Sequence, residues 1–521
     1  MDSIEKNYIL IGRASDIENY WERKLFRFFE MLPAFLCWGT LFSVIIFSIF
    51  RPVWVSLFII FFVTFWLLRI IYLTFYLWIG VGRMRKHEKI DWLAKIEKLP
   101  VENYKVPVKS WKDIYHLIVF PMYKEPIKIV QDSFNALLAS DFPKEQMIVV
   151  LAIEESAGED AQNMAEMIEK EYGNKFLKFY ITRHPQGLPG EIPGKGSNET
   201  WALKKTKEFI IDKLAVPYEN IIVSSFDIDT VVFPKYFSCL TYYYLTVNNP
   251  SRTSFQPIPL FINNIWQVPL FSRLFSFSTT FWQTMNQERP ESLITFSSHS
   301  MSFKALVDVG FRQVCVVSDD SRIYWQCFFF YDGKYEVKPI FYPISMDANA
   351  AQSFLKTLVN VYKQQRRWAY GAGDISYFLF CAFRDKKTPL LKKLVKGAEL
   401  IEGHWSWAMA PLLIFFLGWL PLLLGGEYFS QTLLSYNLPR VTSMILTFAM
   451  TGLIVSAYFS IVLLPPKPLK YGRLKYVALL IQWLLLPIMM IFFSSFPAID
   501  AQTRLMFGKY LGFWPTEKFR K

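Results

Sequence analysis

The stretch "SSFDIDTVVFP" sets two carboxylates, Asp227 and Asp229, two residues apart behind an apolar run. In an extended segment residues i and i+2 project to one side, so both acids face one ligand. Two hard oxygen donors of this kind suit Mg²⁺ or Mn²⁺ shared with a diphosphate, because magnesium takes one or two protein carboxylates and fills its shell with phosphate oxygens and water. A solvated turn is the competing reading of so short a motif. "VVSDDSRIYW" adds Asp319 and Asp320. There Ser318 or Asp319 caps a helix while Asp320 faces a crevice and accepts a proton, a task worth about 10²–10⁴ in rate. "GLPGEIPGKGSNETWAL" carries Lys195 between two glycines in a Gly/Pro-rich loop that opens into a helix. It lacks the spacing of a P-loop, which disfavours an ATPase; one cation on a flexible loop suits a diphosphate, and a plain surface loop is the alternative. Finally, "QQRRWAYG" ends a predicted helix over Ala351 to Tyr370, on which Gln364, Arg367 and Trp368 share a face by i, i+3, i+4 spacing. A core helix end with a snorkelling arginine is the bland account of it.

These residues need a frame. From about Ser110 to Tyr342 short β-branched or aromatic runs alternate with amphipathic stretches, the pattern of a mostly parallel sheet flanked by helices. The predicted strands are His116 to Phe120, Met147 to Ile153, Leu177 to Thr182 and Ile221 to Phe226. Polar or acidic tails follow three of them ("FPMYKEP", "AIEES", "DID"). Ligands of open α/β sheets bind beyond the carboxyl ends of the strands, so these tails point into one carboxylate-rich crevice.

The rest of the chain is unusually apolar. Of 521 residues, 52% are hydrophobic and 18% aromatic, too greasy for an ordinary soluble enzyme. Runs at Leu32 to Phe50 and Val53 to Ile79 read as a helical hairpin; further runs cover Ser406 to Leu424, Met444 to Leu464 and Ala478 to Phe496, each near the roughly 20 residues that cross a bilayer. Five candidate spans result. The polar, charged residues before the first run argue against a cleavable signal peptide. Basic residues before and after the hairpin (Arg23, Lys24, Arg27; Arg83, Arg85, Lys86) and between the last two runs (Lys467, Lys470, Arg473, Lys475) place those stretches, and the middle region, in the cytoplasm. The tail conflicts with this. Five full spans put it outside, whereas Arg504, Lys509, Lys518, Arg520 and Lys521 argue for inside, so one run is re-entrant or interfacial, or a span is miscounted.

The net charge of +13 suits an anionic membrane surface. The aromatics lie in apolar runs and are not interleaved with Lys and Arg, which argues against nucleic acid. Five scattered cysteines and five histidines show neither C-x-x-C nor H-E-x-x-H spacing, so no disulfide framework or zinc site is signalled.

As an ordered set, "VFPMYKE", "AIEE", "GKGSN", "DID", "SDD" and "QQRRW", lying between N- and C-terminal membrane segments, resemble the membrane-embedded family 2 glycosyltransferases, which include cellulose, chitin and hyaluronan synthases and some lipid glycosyltransferases. The resemblance covers most of the chain. It implies an α/β GT-A (Rossmann-like) domain binding a UDP- or GDP-linked sugar, inserted between helical transmembrane segments of an integral, multi-pass inner or plasma membrane protein. Pro121, Tyr123, Glu125 and Glu154 would lie near the nucleoside and Lys195 near the diphosphate. Asp227 and Asp229 would hold nucleotide and metal (Mg²⁺ or Mn²⁺), and Asp320 would deprotonate the acceptor hydroxyl for inverting attack. The Q-x-x-R-W element would line the acceptor site, with Trp368 stacked on the acceptor sugar and Arg367 serving the leaving diphosphate. His299, in "SSHSMSFKALVDVGF", falls where the family places an acceptor-facing loop; a surface histidine is the alternative. Two departures stand out: Glu154-Glu155 where the family usually has aspartate, and Ser318-Asp319-Asp320 where it usually has T/S-E-D.

The implied organisation is a cytoplasmic segment 1–30, a transmembrane hairpin 31–80, an amphipathic linker 81–110, a transferase domain 111–345, Q-x-x-R-W and interfacial helices 346–404, C-terminal membrane segments 405–498 and a basic tail 499–521. The implied enzyme is a hexosyltransferase with a saccharide acceptor, a processive polysaccharide synthase. The alternatives are single addition to a lipid acceptor and, outside the class, a non-catalytic membrane scaffold or transporter.

Overall fold

The computed structural model describes residues 6–469, 472, 474–514 and 519–520. Lys470, Arg473, Lys518 and Lys521, which entered the reading of sidedness, lie outside the described residues. Eight strands form one sheet: β1 (Tyr115–Met122), β2 (Met147–Glu154), β3 (Lys178–His184), β4 (Ile221–Ser225), β5 (Val231–Val232), β6 (Thr253–Leu260), β7 (Ser300–Ser302) and β8 (Glu336–Ser345), in the order β3-β2-β1-β4-β7-β6-β8-β5. The four expected strands are present with ends shifted by one or two residues. β1 is paired in parallel with both β2 and β4, so their carboxyl ends share one edge. β7 runs antiparallel between β4 and β6, and β5 antiparallel to β8; with β2–β3 and β6–β8 parallel, the sheet is mixed.

β1 and β2 read as near-continuous apolar runs because helices cover both faces. Ile118 and Phe120 of β1 join Val149 and Leu151 of β2 in the core on one face, against Phe134 of the helix Ile127–Leu138. Leu117, Val119, Ile148 and Val150 join Leu203 and Phe328 in the core on the other. That second core seats the helix Lys195–Thr206, which begins with the loop lysine, and the helix Asp319–Phe330, which begins with the acidic pair.

Among the described residues four helical stretches are long and apolar enough to cross a membrane: Tyr20–Phe50, Pro52–Lys89, Leu433–Val462 and Tyr476–Met506; a fifth candidate is the pair Leu390–Phe415 and Leu417–Leu424, bent by 48°. Trp54, Phe61 and Phe75 of the hairpin are 71%, 72% and 62% exposed, the kind of apolar surface that marks a membrane or protein contact. The stretch Tyr476–Met506, like the hairpin's second helix, packs on the helix Leu270–Asn286. Along its length Trp483 stacks on Phe281, Phe493 on Phe271, and Asp500 pairs with Arg366 at 3.0 Å, partners in the helices Leu270–Asn286 and Phe354–Ala369. Its end lies beside the first turns of the chain's first long helix, where Arg27 donates to the carbonyls of Leu505 (3.0 Å) and Met506. By length and composition it remains a candidate span.

Candidate functional site

"DID" follows β4 directly, but the segment is turned, not extended: the Thr230 amide donates to the Asp227 carbonyl at 2.8 Å. The two acids differ in access. Asp227 faces the crevice, with Oδ1 2.8 Å from the Lys195 ammonium and Oδ2 accepting from the Ser297 hydroxyl at 2.6 Å. Asp229 is fully buried and accepts from the Asp347 amide at 2.9 Å. The i, i+2 argument for a shared face presupposes strand geometry, which this turn does not supply.

Lys195 is the hub. Its ammonium lies 2.8 Å from Asp227, 3.1 and 3.2 Å from the two oxygens of Asp320, and 4.0 Å from Glu199. Glycine is required in its loop: Gly194 has φ +146°, and a methyl group there would collide with Phe513 of the C-terminal tail. On the far side of the acids sits Arg312, its side chain 1% exposed, 3.1 Å from Asp320, 3.3 Å from Asp319 and 3.4 Å from Glu199. The two neighbouring aspartates differ in access. The Asp320 side chain keeps 25% of its surface and Asp319 only 4%, so Asp320 is the one open to a ligand. Ser318 occupies the N-cap position, yet its hydroxyl donates to Asp374 at 3.1 Å and makes no cap bond.

Burial opposes every charge in this cluster, and the neighbours decide which survive. Against its own desolvation, Lys195 is held well above the ordinary lysine value by Asp227, Asp320 and Glu199. Asp320, likewise desolvated, is drawn below the ordinary aspartate value by Lys195 and Arg312, which keeps it ionised and able to accept a proton. Burial wins at Glu199 and Asp319, whose carboxyls are pushed up. His299 is buried, not superficial: its Nε2 accepts from Arg312 at 3.2 Å and its Nδ1 bonds the Phe296 carbonyl at 2.9 Å. Burial, then the Arg312 charge, push it down to about 3, so it stays neutral.

Arg367 joins this cluster from the helix Phe354–Ala369, with Asp227, Asp319 and Asp320 the charges that favour its ionised form against burial. Its guanidinium lies 4.8 Å from the centre of the Phe513 ring. Trp368, the next residue, turns the other way, edge-on to Phe296 at 6.0 Å, and lines a cavity together with Gln364. Gln364 accepts there from the Asn349 amide at 3.1 Å. The strand ends supply the remaining expected residues. Pro121 lies in β1, the Tyr123 amide donates to Glu125 at 2.7 Å, and Glu154, at the end of β2, accepts from Ser156 at 3.0 Å. Glu155 is exposed and ties down the Gln186 amide instead.

Sequence reasoning passed over Arg312, Glu199, Ser297 and the tail. Glu199 stands four residues after Lys195 on a helix, a spacing that could have paired them; nothing local marks Arg312 or Phe513.

Among the described residues no three His, Cys, Asp or Glu side chains converge as a metal cage. A divalent ion bound through one or two carboxylates and a diphosphate needs no such cage, and Asp227, with an oxygen already facing a cation, fits that use.

No protein-family model and no curated protein matches this chain. Solved structures similar to it include a mannosyltransferase, PcManGT from Pyrobaculum calidifontis, in complex with GDP-Man and Mn²⁺, at 13% identity over 75% of this chain and 99% of that one, with a TM-score of 0.43. Another is S. aureus TarS 1–349 in complex with UDP-GlcNAc, at 13% identity over 76% and 93% of the two chains, with a TM-score of 0.37. At these TM-scores the overlap is partial, and the chemistry of the site rests on the side chains described above.

Proposed function

We propose that this chain is a membrane-bound, inverting glycosyltransferase that moves a hexose from a nucleoside diphosphate sugar to an acceptor hydroxyl. One observation carries the reading: an ionised, accessible carboxylate, Asp320, stands among Lys195, Arg312 and Arg367 at the carboxyl edge of a sheet, next to Asp227. That is the pairing of a base with an anion-binding site that such a transfer needs. Pro121, Tyr123, Glu125 and Glu154 would border the nucleoside. Lys195 and Arg367 would take the diphosphate, which competes with Asp227 and Asp320 for the lysine. The acceptor oxygen attacks the anomeric carbon as the bond from that carbon to the diphosphate oxygen breaks. The electron pair leaves with the diphosphate, and the hydroxyl proton passes to Asp320. Asp227 and Asp229 would hold Mg²⁺ or Mn²⁺, which when bound neutralises diphosphate charge. Arg367 meets the growing negative charge on the leaving group, and Trp368 holds the acceptor.

The chain organisation follows the same reading: a GT-A domain between membrane segments, facing the cytoplasm, and a processive polysaccharide synthase as the finer assignment.

The test is a turnover screen of the purified full chain with UDP- and GDP-linked hexoses, with divalent metal and with chelator. Release of nucleoside diphosphate from at least one donor is expected, suppressed by chelator. A protein that neither binds nor turns over any of them is a scaffold or transporter.

A further inference from the structure

Two cations hold the Asp320 carboxylate, and they hold it differently. Its Oδ1 is shared, 3.1 Å from the Lys195 ammonium and 3.1 Å from Nη1 of Arg312, whereas its Oδ2 meets Lys195 at 3.2 Å. The cations also differ in freedom. Lys195 carries a point charge on a flexible stem and already divides itself between Asp320 and Asp227, which faces the crevice. Arg312 carries a planar fork, its side chain is 1% exposed, and each nitrogen is committed: Nε lies 3.4 Å from Glu199, Nη1 reaches Asp319 at 3.3 Å as well as Asp320, and Nη2 donates to His299 at 3.2 Å. These partners are themselves fixed. Glu199 is fully buried on the helix Lys195–Thr206, and His299 bonds the Phe296 carbonyl at 2.9 Å. The main chain is pinned as well: the Arg312 carbonyl accepts from Thr200 at 3.2 Å and the Asp320 carbonyl from Thr295 at 2.6 Å.

A donor diphosphate competes with Asp227 and Asp320 for the mobile lysine; it has no such access to a guanidinium buried behind the acids. Once Lys195 changes partner, Oδ1 keeps Arg312 and Oδ2 is released. A carboxylate gripped at one oxygen presents the other in a fixed direction, and a general base must lie within hydrogen-bond reach of the proton it takes. We propose that Arg312 is the positioning residue of the base: it holds Oδ1 of Asp320 while the donor draws Lys195 away, so that Oδ2 is the atom that receives the acceptor proton. This rests on the glycosyltransferase reading above and adds a residue to it. Arg312 acts on the reaction through Asp320, whereas Lys195 acts on the donor.

The test is a double-mutant cycle in the purified full chain, with a donor that turns over: wild type, Arg312→Met, Asp320→Asn and the pair. Arg312→Met alone should lower kcat about tenfold or more, the effect of one hydrogen bond to a charged group, with donor affinity from equilibrium binding kept within about twofold. On the Asp320→Asn background the same change should cost nothing further, because a residue that works through the base has nothing left to position. Removing Arg312 leaves Glu199 a buried charge short of its partner, so Arg312→Met is also combined with Glu199→Gln and the melting of every variant is followed. That combination should regain stability without regaining kcat, and Arg312→Lys, which keeps the charge but not the fork, should lose less rate than Arg312→Met. Wild-type kcat in folded Arg312→Met, losses that multiply in the cycle, or full kcat restored by Glu199→Gln would each overturn the inference and leave the glycosyltransferase reading standing. Absence of any donor binding or turnover in the wild type would overturn both.

Discussion

The two sides of the helix Phe354–Ala369 are built from opposite materials. Towards Arg367 lies a cluster of four acids and three strong bases, Asp227, Asp319, Asp320 and Glu199 with Lys195, Arg312 and Arg367, held together by ion pairs of 2.8 to 4.0 Å and by burial. Towards Trp368 lies a small cavity lined mostly by hydroxyls, amides and aromatic faces, with the one carboxylate of Asp347 among its described lining residues. Adjacent residues at the end of one helix thus serve two environments. The charged side suits a diphosphate, because its cations are already concentrated and only need to exchange partners. The side of hydroxyls and amides suits a ligand recognised by shape and by weak hydrogen bonds. The difference teaches that donor and acceptor functions should be separable by substitution.

The largest break should come at the base. Asp320→Asn removes the proton acceptor but keeps the shape, and transfer should fall by about 10²–10⁴ with donor affinity measured by equilibrium binding largely kept. Normal turnover with weakened donor binding would make Asp320 a structural partner of Lys195 and Arg312. Next is Arg367→Ala. Loss of a charged hydrogen bond made mainly as the diphosphate leaves is worth about 1.5–3 kcal/mol, so steady-state kinetics should show kcat and kcat/KM falling together by about 10- to 100-fold. The smallest effect tests whether the frame is independent of both sides. His116 is fully buried in β1, bonds Thr241 at 2.8 Å and is flanked by Phe142 and Phe237. Burial pushes its pKa down to about 3, below the roughly 6.5 of an unfolded histidine. Between those values the unfolded chain binds the extra proton, so stability is full above about pH 6.5 and falls as pH drops, by at most about 1.4 kcal/mol per unit. Denaturant melts of wild type and His116→Leu across pH 4–7 should differ in that slope, with nucleotide-sugar selectivity unaltered.

The strand pattern was legible because a sheet covered on both faces writes long apolar runs, and β1 and β2 have them. β7, three residues of Ser-Met-Ser, has no such signature and forms only because β4 and β6 flank it. Two residues singled out by type, Lys195 and Asp320, come together in the structure at 3.1 Å. What escaped was set by long-range packing. Arg312 reaches Glu199 across more than a hundred residues of sequence, and Phe513 reaches Gly194 and Arg367 across still more; neither pairing leaves a local period. The turn at Asp227–Asp229 escaped for another reason, since periodicity marks a strand better than its end.

The separation of the two sides is tested most directly by measuring, in one assay, nucleotide-sugar hydrolysis to water and transfer to acceptor for wild type, Trp368→Ala and Lys195→Met. Trp368→Ala should lose acceptor-dependent transfer, with the acceptor KM up at least about fivefold, the 1 kcal/mol or more of a well-packed aromatic anchor, while hydrolysis and donor KM persist. Lys195→Met should lose both reactions through weakened donor binding. If Trp368→Ala loses hydrolysis and donor affinity in step with transfer, the two sides are one site and the division of labour described here is contradicted.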